Sequence, residues 1–214
     1  ILFSKTLEEH LGRLEAILQR LRCAGLKLKP SKCMLLQKKV GFLGHIVSPD
    51  GIATNPEKCR AVAEWPAPKC IKELRAFLGL ASYYRRFVLG FSMVAKPLHN
   101  LTKKNQHFVW DVECQAAFDE LKRRLVSRPI LAMPRDKGTL YLDTDASEGS
   151  IGAVHSQQQD GYERVIAYAS RSLSKSESNY CVTRKELLGV VHFMKYFRQY
   201  LLGRSFVVRT DHAA

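Results

Sequence analysis

The segment from residue 139 to residue 214 places the strongest constraint on the fold, because its hydrophobic pattern turns strand-like there. TLYLDTD, SIGAVHSQ and RVIAYASRSL each read as a strand, and QDGY is a hairpin turn signal between the second and third. We expect a helix from about Thr183 to Leu202 and then a fourth strand, SFVVRTD. The apolar residues expected to face the sheet are Leu187, Val190, Val191, Met194 and Phe197. This order predicts an α/β layer architecture.

Three acids stand where this architecture can bring them together. Asp145 ends the first strand, Glu186 lies in the first turn of the helix, and Asp211 ends the fourth strand. If the first and fourth strands are parallel neighbours, both aspartates emerge at one sheet edge, and the packed helix can bring Glu186 to it. Clustered carboxylates repel each other unless divalent cations neutralise them, and oxygen-only ligands favour Mg²⁺ or Mn²⁺.

Each acid also has a purely structural interpretation. Glu186 follows Thr183 by three residues and could complete a capping box. Asp211 could simply end a strand, and we interpret Asp143, on the same face as Asp145, as an exposed strand residue. The predicted metal site therefore depends on the combination of the three acids.

The upstream half is predicted to be mainly helical, with two short strands around a tight corner in residues 38–52 and one strand at LKL, residues 26–28. Residues 6–24 form an amphipathic helix, and residues 111–126 form another. The helix predicted for residues 71–88 has an apolar core face. Its members are Leu74, Phe77, Leu78 and Ala81.

A second stripe runs along the helix of residues 71–88, at spacings i, i+4, i+7 and i+11. It consists of Arg75, Gly79, Ser82 and Arg86, and Lys72 and Arg85 add charge nearby. Small residues allow close approach of another surface, and arginines can neutralise phosphates, so the stripe favours nucleic-acid binding. The alternative is helix–helix packing through Gly79 and Ser82 with solvated arginines.

The charge balance points in the same direction. The chain has 34 Lys and Arg residues against 20 Asp and Glu residues, a formal net charge of +14. Such an excess suits a polyanionic partner such as nucleic acid, although a merely soluble basic surface would also explain it. The six cysteines form no C-x-x-C pair, and no apolar run approaches the length of a membrane span. We therefore expect a soluble intracellular protein with reduced thiols and no membrane partner.

Several motifs together resemble the Pol polyprotein of Ty3/gypsy-type retrotransposons. TDAS, IGAVHSQ, AYASRSLSKSESNY, TRKELLGVV and KYFRQYLLGRSFVVRTDH resemble its ribonuclease H (RNase H) domain. ILFSKTLEEHL, GLKLKPSKC, FLGHIVSPDGI, KELRAFLGLASYYRRFV and FVWDVECQAAFDELKRRLVSRPIL resemble its reverse transcriptase. The resemblance implies a mixed α/β (α+β) protein: a palm remnant and helical thumb, then a partial RNase H-like mixed sheet with a packed helix. The implied divisions are palm 1–52, thumb 53–105, connection 106–135 and truncated RNase H 136–214.

The resemblance also implies roles for particular residues. Asp145, Glu186 and Asp211 match the family's metal-binding catalytic acids, which cleave the RNA strand of an RNA–DNA hybrid with two Mg²⁺ or Mn²⁺ ions. The hairpin that grips the primer end and the thumb helix that follows the duplex would supply the nucleic-acid contacts. These residues are Phe42, Leu43, Gly44, Lys72, Arg75, Gly79, Ser82, Arg85 and Arg86. The implied partners are RNA–DNA hybrid, duplex nucleic acid and the rest of the Pol polyprotein.

The sequence departs from the family pattern in three places. The family's polymerase aspartates lie in a Tyr-x-Asp-Asp turn upstream of ILFSKT, so we do not expect this chain alone to polymerise DNA. The family adds further fold and a fourth acid after TDH, where only Ala213 and Ala214 follow. His155 stands where an aliphatic residue is usual, which suggests a tolerated edge position or relaxed selection. A catalytically inert nucleic-acid-binding remnant and a domesticated interaction protein therefore stay open as alternatives.

Overall fold

The structure, a computed structural model, describes residues 1–127 and 129–211. His212, Ala213 and Ala214, where the resemblance implies that the fold breaks off, lie outside the described residues. The helices are α1 (Leu7–Cys23), α2 (Pro56–Ala63), α3 (Ile71–Tyr83), α4 (Phe91–Val94), α5 (Lys96–Leu101), α6 (Val112–Val126), α7 (Lys175–Ser178), α8 (Val182–Tyr196) and α9 (Arg198–Leu201). The strands are β1 (Val40–Phe42), β2 (His45–Ser48), β3 (Gly51–Thr54), β4 (Leu140–Ala146), β5 (Ser150–Gln159), β6 (Tyr162–Ser172) and β7 (Phe206–Thr210). Short 3₁₀ turns cover Pro30–Lys32 and Arg85–Phe87. The predicted fold class, mixed α/β, is confirmed.

A small antiparallel sheet in the order β1-β2-β3 forms the first layer. The sequence predicted only two strands here, and the structure adds β3 after the turn at Pro49 and Asp50. All four residues of the third strand pair with β2. Ile52 and Leu131 also exchange backbone hydrogen bonds of 2.8 and 2.9 Å, which tie β3 to the segment after α6.

The N-terminal segment is the least packed part of the described chain. Helix α1 has the predicted amphipathic pattern and a Thr6 N-cap, yet none of its residues is buried. The predicted strand at residues 26–28 is wrong, because this segment pairs with no described strand. The Leu26 N–H donates instead to the Leu21 oxygen at 2.9 Å, a bond that closes the end of α1.

Helices α2 to α6 enclose one apolar core. The predicted buried face of α3 is confirmed, with Leu74, Phe77, Leu78 and Ala81 all buried. Helix α6 contributes Phe118, whose ring centroid lies 4.5 Å from that of Phe77. Helix α3 ends at Tyr83 instead of continuing to residue 88, because the chain tightens into the 3₁₀ turn at Arg85–Phe87.

The second sheet has the order β6-β5-β4-β7. Strands β4, β5 and β6 are antiparallel, whereas β7 lies parallel to β4, which confirms the arrangement expected from the sequence. The turn between β5 and β6 has positive φ at Asp160 (53°) and Gly161 (83°), as the QDGY signal predicted. Helix α8 packs against one face of this sheet through Gly189 and Phe193.

Two predictions about this sheet are wrong. Of the five apolar residues predicted to face it, only Phe197 is buried, and Leu187 is 60% exposed. The buried face of α8 is formed by Glu186, Gly189 and Phe193, because a close approach to the sheet requires a small residue at its centre. His155 is fully buried on β5, an interior strand, and is not at an edge.

The helical core docks against the second sheet at β6. Arg85 donates to the backbone oxygen of Ser170 at 2.5 Å, and the backbone N–H of Ser92 donates to the Ser170 hydroxyl at 2.8 Å. Beyond α6, the Ala132 N–H donates to the Val165 oxygen at 2.7 Å. The two cores are thus joined by hydrogen bonds as well as by apolar contact. The finer division into palm, thumb and connection stays a prediction.

Candidate metal centre and nucleic-acid surface

The parallel pairing of β4 and β7 places Asp145 and Asp211 side by side. The register pairs Asp143 with Arg209 and Thr144 with Thr210, so Asp145 and Asp211 are the next opposing positions. Asp145 is the penultimate residue of β4, and Asp211 directly follows β7. Both carboxylates are exposed at the same edge of the sheet, as predicted.

Glu186 reaches this edge from the first turns of α8. It is only 6% exposed, which is unusual for a glutamate. Each of its two carboxylate oxygens accepts a hydrogen bond from one of the two adjacent strands, β4 and β7. The Ala146 N–H donates to Oε1 and the Thr210 hydroxyl donates to Oε2, both at 3.2 Å. Glu186 is therefore fixed to both aspartate-bearing strands.

The capping-box interpretation of Glu186 is wrong. Helix α8 begins at Val182 with Cys181 as its N-cap, which makes no side-chain capping bond, and Thr183 already lies inside the helix. A genuine capping box occurs instead in α7, between Ser174 and Glu177. The carboxylate of Glu186 points to the sheet edge and not back along its own helix.

The three carboxylates form one cluster. One oxygen from each of Asp145, Glu186 and Asp211 lies within 4.8 Å of the others. Three acids at this separation repel one another in the absence of a cation, and the donor set contains only carboxylate oxygens. Such a site fits Mg²⁺ or Mn²⁺, which prefer hard oxygen ligands.

The neighbouring acid Asp143 has a different environment, which sequence reasoning missed. Its carboxylate forms a bidentate ion pair with the guanidinium of Arg209, which also binds Glu163 at 2.6 and 3.0 Å and lies 4.4 Å from the centre of the Tyr141 ring. These bonds lower the pKa of Glu163. Aligning LYLDTD with FVVRTD would have placed Asp143 opposite Arg209 and predicted the pair. Asp143 is therefore neutralised by protein and kept apart from the cluster.

The predicted nucleic-acid stripe is present only in part. Lys72, Arg75 and Gly79 are exposed on α3, and Ser82 is half-buried. No described atom lies within 4 Å of a Cβ built at Gly79, so helix–helix packing does not explain this glycine. Arg75 donates to the Thr102 oxygen at 3.3 Å and is exposed.

The two remaining arginines of the prediction have protein partners. Arg86 lies beyond the end of α3 and donates to the Tyr200 hydroxyl at 3.4 Å. Arg85 binds Ser170, and its guanidinium lies 5.5 Å from the centre of the Phe91 ring. Both are half-buried between the two cores, so a nucleic-acid role for them stays a prediction that their contacts do not favour.

The hairpin between β1 and β2 carries the other predicted contacts. Phe42 and Leu43 project from its tip and are 42% and 71% exposed. Gly44 completes the turn with φ of 72°. Two apolar side chains are thus presented to solvent beside the end of α3.

The second sheet and its carboxylate site lie largely in a part of the chain that is similar to RNase H-like domains. Residues 110–208 match the family described as an RNase H-like domain found in reverse transcriptase. The chain is 43% identical, over 99% of its length and 20% of the relative's, to the retrovirus-related Pol polyprotein from transposon 297 of Drosophila melanogaster. It is 35% identical, over 99% of its length and 16% of the relative's, to the Tf2-3 polyprotein of Schizosaccharomyces pombe. Its homologues are thus transposon Pol polyproteins, and it spans about a fifth of the length of those it matches.

Similar solved structures support the mixed α/β fold. The foamy viral protease-reverse transcriptase in complex with RNA/DNA hybrid is similar with a TM-score of 0.85 and 26% identity, over 99% of this chain and 29% of that one. The dRH form of the same protein in complex with double-stranded DNA is similar with a TM-score of 0.87 and 26% identity, over 99% of this chain and 38% of that one. Separately, none of the helices in the described part of the chain has both the length and the apolar character needed to cross a membrane.

Proposed function

We propose that this chain is the RNase H-bearing part of a Ty3/gypsy-type Pol polyprotein, and that it binds RNA–DNA hybrid and cleaves the RNA strand with divalent metal ions. The observation that carries the proposal is the convergence of Asp145, Glu186 and Asp211 within 4.8 Å, with Asp145 and Glu186 inside the region that matches an RNase H-like domain. Two of the homologous solved structures hold double-stranded DNA and RNA/DNA hybrid, which supports the choice of substrate.

The three acids that would bind the metal differ in how firmly the protein holds them. Glu186 is buried and fixed by two hydrogen bonds, so it supplies a rigid reference point. Asp145 and Asp211 are exposed and can adjust their carboxylates to the ion and to the substrate phosphate. Bound divalent ions would supply an activated water as the nucleophile and stabilisation of the leaving 3′ oxygen.

The residues around the cluster keep its charge available for metal. Arg209 neutralises Asp143, which removes the nearest competing carboxylate on β4. Because Arg209 also binds Glu163, its charge is already shared between two acids and is not free to attract the metal-binding carboxylates away from an ion. The protein's own part in the reaction is therefore to hold these three acids together at the sheet edge.

The substrate would be held by the exposed hairpin tip and by α3. Lys72 and Arg75 offer charge for phosphates, and Gly79 leaves open space for a backbone to approach. Phe42 and Leu43 offer apolar contact to sugar and base edges.

Cleavage of an end-labelled RNA–DNA hybrid in Mg²⁺ or Mn²⁺ tests the proposal. We expect the wild-type chain to shorten the RNA strand and Asp145→Asn to be inactive. Asp143→Asn is the matched control, because it removes a carboxylate from the same strand and face but not from the cluster, and it should retain cleavage. Hybrid that is bound but uncut by wild type would indicate a nucleic-acid-binding remnant instead. Equal cleavage by wild type and Asp145→Asn would refute the assigned site.

A further inference from the structure

The turn between β1 and β2 is strained at an exposed apolar residue. Phe42 pairs with His45, so Leu43 and Gly44 are the two central residues of a tight hairpin turn, with φ of 44° and 72°. Glycine adopts such angles freely, but a leucine there costs free energy. Because the Leu43 side chain is largely exposed, its own burial does not offset that cost. Something else must hold this turn in place.

The strained turn is held through its two carbonyl oxygens. The Leu43 oxygen accepts hydrogen bonds from the Tyr83 hydroxyl and from Nδ1 of His45, the latter at 2.9 Å. The Gly44 oxygen accepts from the Tyr84 hydroxyl at 2.7 Å and from the Asn55 N–H at 3.2 Å. Each carbonyl therefore uses both of its lone pairs, and two of the four donors come from the last turn of α3 and its C-cap.

Aromatic side chains also pack between the hairpin and the end of α3. The His45 ring lies 5.3, 5.5 and 5.6 Å from the ring centres of Tyr83, Tyr84 and Phe87. A Cβ on Gly44 would come within 3.2 Å of the Tyr84 hydroxyl oxygen and 3.3 Å of a Tyr83 ring carbon. The turn thus rests directly on the end of α3, with no space between them for an added side chain.

We propose that Tyr83 and Tyr84, with His45, are positioning residues that lock the hairpin tip to α3, so that both meet a nucleic-acid duplex as one rigid surface. This inference rests on the proposed function for its ligand. The two tyrosines do not need to touch the duplex themselves. They hold Leu43 in a backbone conformation that it would not keep alone, and so present its side chain and that of Phe42 beside the exposed side chains of α3.

The first test compares hybrid affinity by fluorescence anisotropy, in EDTA, for wild type, Tyr83→Phe and the control Tyr162→Phe. Tyr162 is an exposed tyrosine of the other sheet, so its hydroxyl should not matter. Loss of the Tyr83 hydroxyl, one neutral hydrogen bond, should weaken binding about fivefold. The control variant should bind like wild type.

The second test separates positioning from ordinary structural support by a rescue. Leu43→Gly removes the backbone strain, so the turn no longer needs its clamp. In the Leu43 background, Tyr83→Phe should speed amide hydrogen exchange across residues 42–45 about fivefold. In the Leu43→Gly background the same change should speed exchange less than about twofold, because an unstrained turn stays closed until the small sheet opens as a whole, and the Tyr83 hydroxyl does not control that opening. A Tyr83 hydroxyl with a merely general structural role would give the same change in both backgrounds.

The outcomes are distinguishable. Wild type that binds hybrid, together with an unaltered affinity in Tyr83→Phe, overturns the positioning role and leaves the proposed function standing. Equal exchange effects in the two backgrounds also overturn it. Wild type that binds no hybrid overturns the proposed function and, with it, the assignment of a ligand to this surface.

Discussion

Removal of one acid from the carboxylate cluster should stabilise the metal-free protein. Asp145→Asn keeps the size of the side chain but removes its interaction with two neighbouring carboxylates that lie within 4.8 Å. In a water-like dielectric, one such pair of charges repels by about 0.9 kcal/mol. Two pairs, reduced by salt screening, give an expected gain of about 1 kcal/mol in the free energy of unfolding in EDTA.

Bound Mg²⁺ should reverse the order of stability of wild type and Asp145→Asn. A single Mg²⁺ site at ten times its dissociation constant stabilises the folded wild type by about 1.4 kcal/mol. Asp145→Asn should gain little from Mg²⁺, because its cluster has lost a ligand. For a chain of this size, 1 kcal/mol corresponds to roughly 2–4 °C in Tm. The variant should therefore melt above wild type in EDTA and slightly below wild type in Mg²⁺.

Asp143→Asn is the matched control for this measurement. It removes a carboxylate two residues away on the same strand, but one that is paired with Arg209 and lies outside the cluster. Its Tm in EDTA should be equal to or below that of wild type, and its gain from Mg²⁺ should be unchanged.

Thermal denaturation followed by circular dichroism, in EDTA and in Mg²⁺, measures all three proteins. The reasoning is refuted if Asp145→Asn melts below wild type in EDTA while it keeps the full gain from Mg²⁺. It is equally refuted if Asp143→Asn and Asp145→Asn behave alike.

Three further predictions concern the sheet that carries the site. Burial lowers the pKa of His155 from its ordinary value of 6.5, so the unfolded chain takes up a proton before the folded protein does. The contribution of His155 to stability should be complete above that value and lost as pH falls below it, by up to about 1.4 kcal/mol per pH unit, and urea unfolding should show a shallower loss for His155→Phe. Phe193→Ala should cost about 3–5 kcal/mol in urea unfolding, because the ring is buried between α8 and the sheet. Gly189→Ala should keep its Mg²⁺-dependent Tm gain and Gly189→Leu should lose it, since a Cβ there already meets Ile151 and Thr144 at 3.9 Å.

The sheet and its acids were predictable because their signals are local. Alternation along β4, the Asp160–Gly161 turn and the two strand-terminal aspartates can all be seen in short windows of sequence. The parallel pairing of β4 and β7, in contrast, was expected from the family resemblance and not from the hydrophobic pattern. The approach of Glu186 to the aspartates needed only the assumption that this helix packs on the sheet.

What the sequence could not supply is the choice between two apolar faces of one helix. Helix α8 has an exposed row that includes Leu187 and Val191, and a buried row that includes Gly189 and Phe193. The hydrophobic pattern predicts that the first row faces the sheet. The second row faces it in the structure, because Gly189 allows the helix to approach the sheet closely. The Tyr83 and Tyr84 contacts to the hairpin were equally hidden, because they join residues 40 positions apart through backbone carbonyls.

The central claim is that Asp145, Glu186 and Asp211 form one divalent metal centre, and anomalous diffraction from crystals soaked in Mn²⁺ tests it most directly. The account predicts anomalous density between these three carboxylates in wild type, and none there in Asp145→Asn. Density elsewhere with none between the three acids, or an unchanged peak in the variant, would contradict it.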